Sequence, residues 1–164
     1  MSKEFQTHPF DPVFDKSSRI LILGSFPSVK SREINFFYGH PQNRFWKVLS
    51  RLLNETEPKT VDEKRAFLLK NRIALWDTIA SCEIENSADS TIENVKPNDI
   101  GIILSKADIR AIFTNGQTSW KYYRRYIEPV VNIKATVLPS TSPANAAWTV
   151  ERLCEAWQII KKEL

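Results

Sequence analysis

Four short apolar runs recur along the chain, each closed by a polar residue or a glycine. Arg19-Ile20-Leu21-Ile22-Leu23-Gly24 has no polar interruption between Ile20 and Leu23. That predicts a strand buried on both faces, since a half-exposed strand would alternate. Ile73-Ala74-Leu75-Trp76, ending at Asp77, repeats the pattern. So do Ile109 to Thr114, stopped by Asn115-Gly116, and Ile133 to Leu138. Between these runs the period becomes helical. From Asn43 to Leu53, Phe45, Trp46, Leu49, Leu52 and Leu53 share one face, with Arg44, Lys47 and Arg51 expected toward solvent. Thr60-Val61-Asp62-Glu63 is a capping box that opens a helix over 61–71. Asn98 is expected to cap a helix reaching Ser105, and a helix carrying Trp120, Tyr123 and Ile127 follows the third run. Ala146, Val150, Leu153, Trp157, Ile160 and Leu164 form the stripe of a closing helix. Ser142 is its expected N-cap and Pro143 its first residue.

Strands alternating with helices predict an α/β fold: a parallel sheet covered on both faces. Ligands of such sheets sit beyond the carboxyl ends of the strands. Here those ends are Gly24-Ser25-Phe26-Pro27-Ser28, Trp76-Asp77, Asn115-Gly116 and Leu138 to Pro143, which should face one cleft. Residues 1–17 hold two prolines and scattered polar residues and read as an irregular lead-in. Residues 25–42 read as a long loop rich in aromatics, and a loop of that length in a compact domain is usually functional.

The chain has 164 residues, the size of one domain. Its two cysteines, Cys82 and Cys154, exclude a four-cysteine zinc site or iron–sulfur cluster within one chain. They also make a disulfide framework unexpected and a reducing cytoplasm the expected compartment. No apolar stretch is long enough to span a membrane, and no metal or other cofactor is expected. Twenty-three basic and nineteen acidic side chains leave a net charge of +4, a mild bias toward a polyanionic partner. The glycine pattern after the first run is not that of a dinucleotide-binding turn, and Pro27 blocks one.

Candidate chemistry clusters at the strand ends. In Ser140-Thr141-Ser142-Pro143-Ala144, a helix start would offer free N–H groups to a phosphate. Tyr38-Gly39-His40-Pro41-Gln42-Asn43 brings together an aromatic that can stack, a histidine that can act as acid or base, and an amide that can orient a water. Asp77 and Asn115 stand where a planar ligand would meet the sheet. Each also has a purely structural reading, as a cap or a turn residue.

In order, Gly24-Ser25-Phe26-Pro27-Ser28, His40-Pro41-Gln42-Asn43-Arg44-Phe45-Trp46, Leu75-Trp76-Asp77 and Leu138-Pro139-Ser140-Thr141-Ser142-Pro143-Ala144 resemble the uracil-DNA glycosylase superfamily. The match covers most of the chain, and the branch most resembled is the hypoxanthine-DNA (deoxyinosine) glycosylases. The resemblance implies a three-layer α/β/α sandwich around a four-stranded parallel sheet. It also implies monofunctional base excision from DNA containing deaminated bases, by a monomer without a metal. Phe26 stands where the mismatch-specific branch carries a water-positioning asparagine. In the hypoxanthine branch the catalytic role falls to the asparagine of the His-Pro-x-Asn string, here Asn43. The classical histidine of the final loop is replaced by Ser140-Thr141-Ser142.

On this reading Asn43 holds the attacking water with its side-chain oxygen toward the sugar. His40 and the backbone near Ser25 stabilise the departing base. Phe26 and Tyr38 sandwich the base, while Asp77 and Asn115 read its edge. Ser140, Thr141, Ser142, Ala144 and Asn145 contact DNA, and Lys121, Arg124 and Arg125 add charge. A uracil/thymine mismatch glycosylase and a non-catalytic nucleotide- or DNA-binding module are the alternatives.

Overall fold

The structure is a computed structural model describing residues 3–164. The strands, in chain order, are β1 (Glu4–Thr7), β2 (Ile20–Gly24), β3 (Ile73–Asp77), β4 (Ile79–Ile84), β5 (Glu93–Pro97), β6 (Ala111–Asn115) and β7 (Ala135–Leu138). The helices are α1 (Val29–Ile34), α2 (Phe45–Leu52), α3 (Val61–Lys70), α4 (Gly101–Leu104), α5 (Gln117–Tyr122), α6 (Glu128–Val131) and α7 (Val150–Trp157). A π-helical turn over Tyr123–Ile127 joins α5 to α6.

Four strands form the expected parallel sheet, in the order β3-β2-β6-β7. The first connection from β2 leads to one side of it, and the later strands are laid down on the other side. With right-handed crossovers, that reversal places helices on opposite faces and produces three layers. Every residue of β2 and of β3 is buried. The outer edge of β3 is closed by Val13, whose N–H and carbonyl each bond Leu75 at 2.9 Å. Without that bridge a fully apolar edge strand would be open to mispairing. The apolar face of α2 packs against α7, where the Phe45 ring meets Trp157 edge-on at 6.0 Å.

The chain also builds a second sheet, β1-β4-β5, which is antiparallel. Strand β4 follows β3 after the single residue Thr78, so the two sheets are directly continuous. Phe26, Ile79, Cys82, Ile84, Ile92 and Tyr122 form a separate small core there. Residues 4–7 therefore form a strand inside the lead-in expected to be irregular. Glu4-Phe5-Gln6-Thr7 carries no apolar pattern, and pairing with β4 overrides its composition. Met1 and Ser2 lie outside the described residues.

Three other expectations are corrected. The 25–42 loop contains helix α1, capped by the Ser28 hydroxyl, which accepts from Ser31 N–H at 3.1 Å. Asn98 does not cap α4. Its side-chain amide donates to the carbonyls of Asp77 and Ile79, at 2.8 and 3.2 Å, and staples the junction between the sheets. The last helix begins at Val150 behind Thr149, not at Pro143 behind Ser142. Among the described residues no helix is long and apolar enough to cross a membrane.

Ile22 is fully buried at the centre of the parallel sheet. Its replacement by alanine is expected to cost about 2–5 kcal/mol, read as a lower urea midpoint at unchanged slope.

Candidate active site

The carboxyl ends of β2 and β6, and the loop after β7, converge on one polar network. Asn43 lies two residues before α2, and its Oδ1 accepts from Phe45 N–H at 3.0 Å. The same oxygen accepts from the Thr141 hydroxyl at 2.8 Å. Thr141 Oγ1 in turn accepts from the Asn115 side-chain amide at 2.9 Å, while Thr141 N–H donates to Asn115 Oδ1 at 3.0 Å. A backbone N–H can only donate, so Phe45 and Thr141 N–H fix which way both amides face. The Asn43 oxygen thus has both lone pairs engaged. Its NH2 group has no hydrogen-bond partner among the described residues. This reverses the expected orientation, in which Oδ1 faces the substrate: the helix start and Thr141 claim the oxygen first.

Asn115 and Thr141 are buried, so both act from inside. Thr141 is fully buried, with its N–H and hydroxyl turned to Asn115 and Asn43; it offers no surface to DNA. The Ser142 hydroxyl accepts from Ala144 N–H at 3.1 Å in a local turn. The Asn145 amide is tied to the Ser140 carbonyl at 3.0 Å. Ala144 is exposed. No helix starts at this loop, so the dipole expected to favour a phosphate there is absent.

The loop is shaped instead by Arg44. Expected toward solvent, its guanidinium turns inward and donates to the carbonyls of Thr141 (3.3 Å), Ser142 (2.7 Å), Asn145 (3.1 Å) and Trp148. Four carbonyls pulled toward one fork cannot line up along a helix axis. That explains why α7 waits until Val150.

His40 is half-buried beside Asn43, and its Nδ1 accepts from Gln42 N–H at 3.1 Å. A neutral His40 therefore carries its proton on Nε2 and is a donor there.

Gly24 closes β2. A Cβ on it would stand 2.4 Å from Asp77 Oδ1 and 2.8 Å from Tyr38 Oη, so only glycine fits between them. Tyr38 takes a left-handed backbone, φ 50°, which a tyrosine rarely adopts. One ring face stacks on Phe45 at 4.1 Å. Its hydroxyl is buried without a hydrogen-bond partner; burial, then the Asp77 carboxylate, pushes its pKa far up, so it stays protonated. Phe26 is buried in the smaller core, with the Arg32 guanidinium 5.6 Å from its ring centre. Tyr38 and Phe26 thus each have one neighbour already against the ring.

The motifs did not single out His8, Asp89 or the inward turn of Arg44. His8 lies in the lead-in and bonds Asp77 Oδ2 through Nε2 at 2.8 Å. Its one sequence signal is rarity, since the chain has two histidines. Asp89 stands at the rim, open to solvent on its outer side, and accepts from the Ser25 hydroxyl at 3.0 Å. The protein atoms packed beneath it, and Asp77 nearby, push its carboxyl up to about 6.

Replacing Arg44 by lysine leaves a single ammonium to serve several carbonyls. A loss of about 1–3 kcal/mol in urea unfolding is expected, with faster proteolysis within 140–149. Asp89 behaves oppositely to an ordinary paired carboxylate. Its folded pKa lies above the unfolded value, so the folded state holds the proton more tightly and its contribution to stability falls as pH rises from about 4 through 6. Asp89→Asn should therefore raise Tm at pH 7.5 relative to the parent and leave it nearly unchanged at pH 4.

The profile described as the uracil DNA glycosylase superfamily matches residues 12–161. A Methanosarcina acetivorans protein named hypoxanthine DNA glycosylase is 35% identical over 156 residues, covering 92% of this chain and 95% of that one. A Methanosarcina barkeri protein of the same name is 33% identical over 141 residues, covering 83% and 86%. A solution NMR structure from M. acetivorans, named provisionally as a uracil DNA glycosylase, superposes with a TM-score of 0.80 at 31% identity, covering 96% of each chain. Fold, strand-end motifs and these relatives agree: the chain belongs to the uracil DNA glycosylase superfamily.

Proposed function

We propose that the protein is a monomeric DNA glycosylase that hydrolyses the N-glycosidic bond of a deaminated base, foremost hypoxanthine, after extruding the nucleotide from the helix. The observation that carries this reading is the locked Asn43 amide at the carboxyl ends of the parallel strands. The two Methanosarcina relatives named hypoxanthine DNA glycosylase support the choice of base.

Cleavage builds positive charge on the sugar and negative charge on the departing base, so the site must favour both over the ground state. The anomeric carbon is unreachable in a stacked duplex, which makes extrusion the first step. The Asn43 NH2 holds a water by one lone pair and leaves the other for C1′. Its oxygen, tied to Phe45 and Thr141, cannot swing away. Fixing a nucleophile in this way supplies up to about 7–11 kcal/mol in favourable cases. Asparagine is a weak base, but an early, dissociative bond cleavage needs little proton removal. The His40 Nε2–H and the backbone near Ser25 act as donors to the departing base, each worth about 3–4 kcal/mol if preorganised. Ser142, Ala144 and Asn145 lie at the DNA-facing loop, and Lys121, Arg124 and Arg125 supply charge along α5 and the π turn.

Asn43→Ala is expected to lower single-turnover release of hypoxanthine at least a hundredfold while DNA affinity stays within threefold. Unchanged release would remove Asn43 from the chemistry. Wild-type protein that binds but releases no base from hypoxanthine, xanthine or uracil oligonucleotides would favour a non-catalytic binding module. Affinity should also fall steeply with salt, because neutralised phosphates release counterions.

A further inference from the structure

His8 Nδ1 lies 2.8 Å from the carbonyl oxygen of Phe10. A carbonyl carries no hydrogen, so Nδ1 is protonated. His8 Nε2 lies 2.8 Å from Asp77 Oδ2, and one further hydrogen lies between that pair. Whether it resides on nitrogen or on oxygen, Asp77 Oδ1 carries none and is an acceptor in both cases. The side chains of His8 and Asp77 are 4% and 5% exposed, so water does not reset this arrangement. The rings of Phe10, Phe26, Phe37 and Trp76 pack around the imidazole at 4.5–6.5 Å and hold its plane. Asp77 Oδ1 and Tyr38 Oη both abut Gly24, and the tyrosine hydroxyl has no partner. The cleft floor thus presents one acceptor and one unused donor, each of fixed polarity.

We infer that Asp77 Oδ1 and Tyr38 Oη, with His8 as the positioning residue behind them, read the N–H/C=O edge that deamination creates on a base. This deepens the glycosylase reading above and rests on it. Adenine shows a bare N1 beside an amino group. Hypoxanthine shows N1–H beside a carbonyl. Cytosine and uracil differ in the same way at N3 and C4. A deaminated base therefore gives its N–H to Asp77 and accepts from Tyr38. Its parent sets a lone pair against Oδ1 and an amino hydrogen against the hydroxyl. Buried polar groups left unmatched in this way discriminate strongly. Guanine carries the same edge as hypoxanthine, so this pair does not reject it.

The test is affinity for single-stranded oligonucleotides carrying one 2′-fluoro-deoxyinosine, -deoxyadenosine or -deoxyguanosine. The fluorine suppresses cleavage, and a single strand removes differences in base pairing. Wild type should bind the inosine strand at least tenfold more tightly than the adenosine strand, and within threefold of the guanosine strand. Tyr38→Phe and His8→Phe should each bring the inosine-to-adenosine ratio below three. His8→Gln, which still donates to Asp77, should restore it. Tyr38→Phe removes an unpartnered buried hydroxyl, so its Tm should not fall, which separates recognition from folding. Long-range 1H–15N spectra of the wild type check the polarity without any variant: a bare His8 Nδ1 would overturn the inference. So would a ratio that survives Tyr38→Phe and His8→Phe, or a wild-type ratio near one. If ordinary deoxyinosine is not excised but uracil is, the choice of base falls while the edge reader stands, provided the uridine-to-cytidine ratio collapses in Tyr38→Phe.

Discussion

A hydroxyl has one hydrogen, and the arrangement of the whole cleft follows from where Thr141 sends it. It donates to Asn43 and accepts from Asn115. The chain Asn115 to Thr141 to Asn43 is bounded at both ends by backbone N–H groups, which cannot reverse roles. Flipping either amide would break two bonds at once and oppose like groups in a buried setting, where an unsatisfied polar atom costs about 1–3 kcal/mol. Three segments distant in sequence are thereby locked in one register. The site is rigid because its polarity is over-determined, with no residue needing strong intrinsic preference.

The same logic sets the local conformation around Arg44. A proline behind a serine is a good helix start, and local chemistry alone would begin α7 at Pro143. Four carbonyls turned toward a single guanidinium outweigh that preference. Hydrogen bonds to a charged group contribute about 1.5–3 kcal/mol, more than the roughly 1 kcal/mol of a helix cap. The 140–149 loop is thus kept irregular by a residue adjacent to Asn43, so the substrate-facing loop and the water-holding amide share one anchor.

This contrast explains what was readable in the chain. The four parallel strands were legible because burial on both faces leaves an uninterrupted apolar signature, as in Ile20–Leu23. Helix α3 was legible because its capping box is a local device. Asn43, Asn115 and Thr141 could be singled out by motif, but their roles could not. The direction of an amide depends on a partner 98 residues away, as between Thr141 and Asn43. Strand β1 and His8 were invisible for a related reason. Glu4 to His8 gain their structure entirely from pairing with β4 and from Asp77, and nothing in their own order encodes either partner.

Tyr38 is where the fold departs most from its own best interest. Its backbone sits at φ 50°, and its hydroxyl is buried without a partner. Each of these costs of order 1–3 kcal/mol, and a phenylalanine would remove the second outright. Tyr38 is retained beside a glycine that no other residue can replace and beside a carboxylate already held by histidine. Costs of this kind persist where the surrounding structure enforces them and where function draws on them. A ligand edge that accepts from the phenol would supply the missing bond, so the stability forgone by the empty protein reappears as affinity for a base with the right polarity.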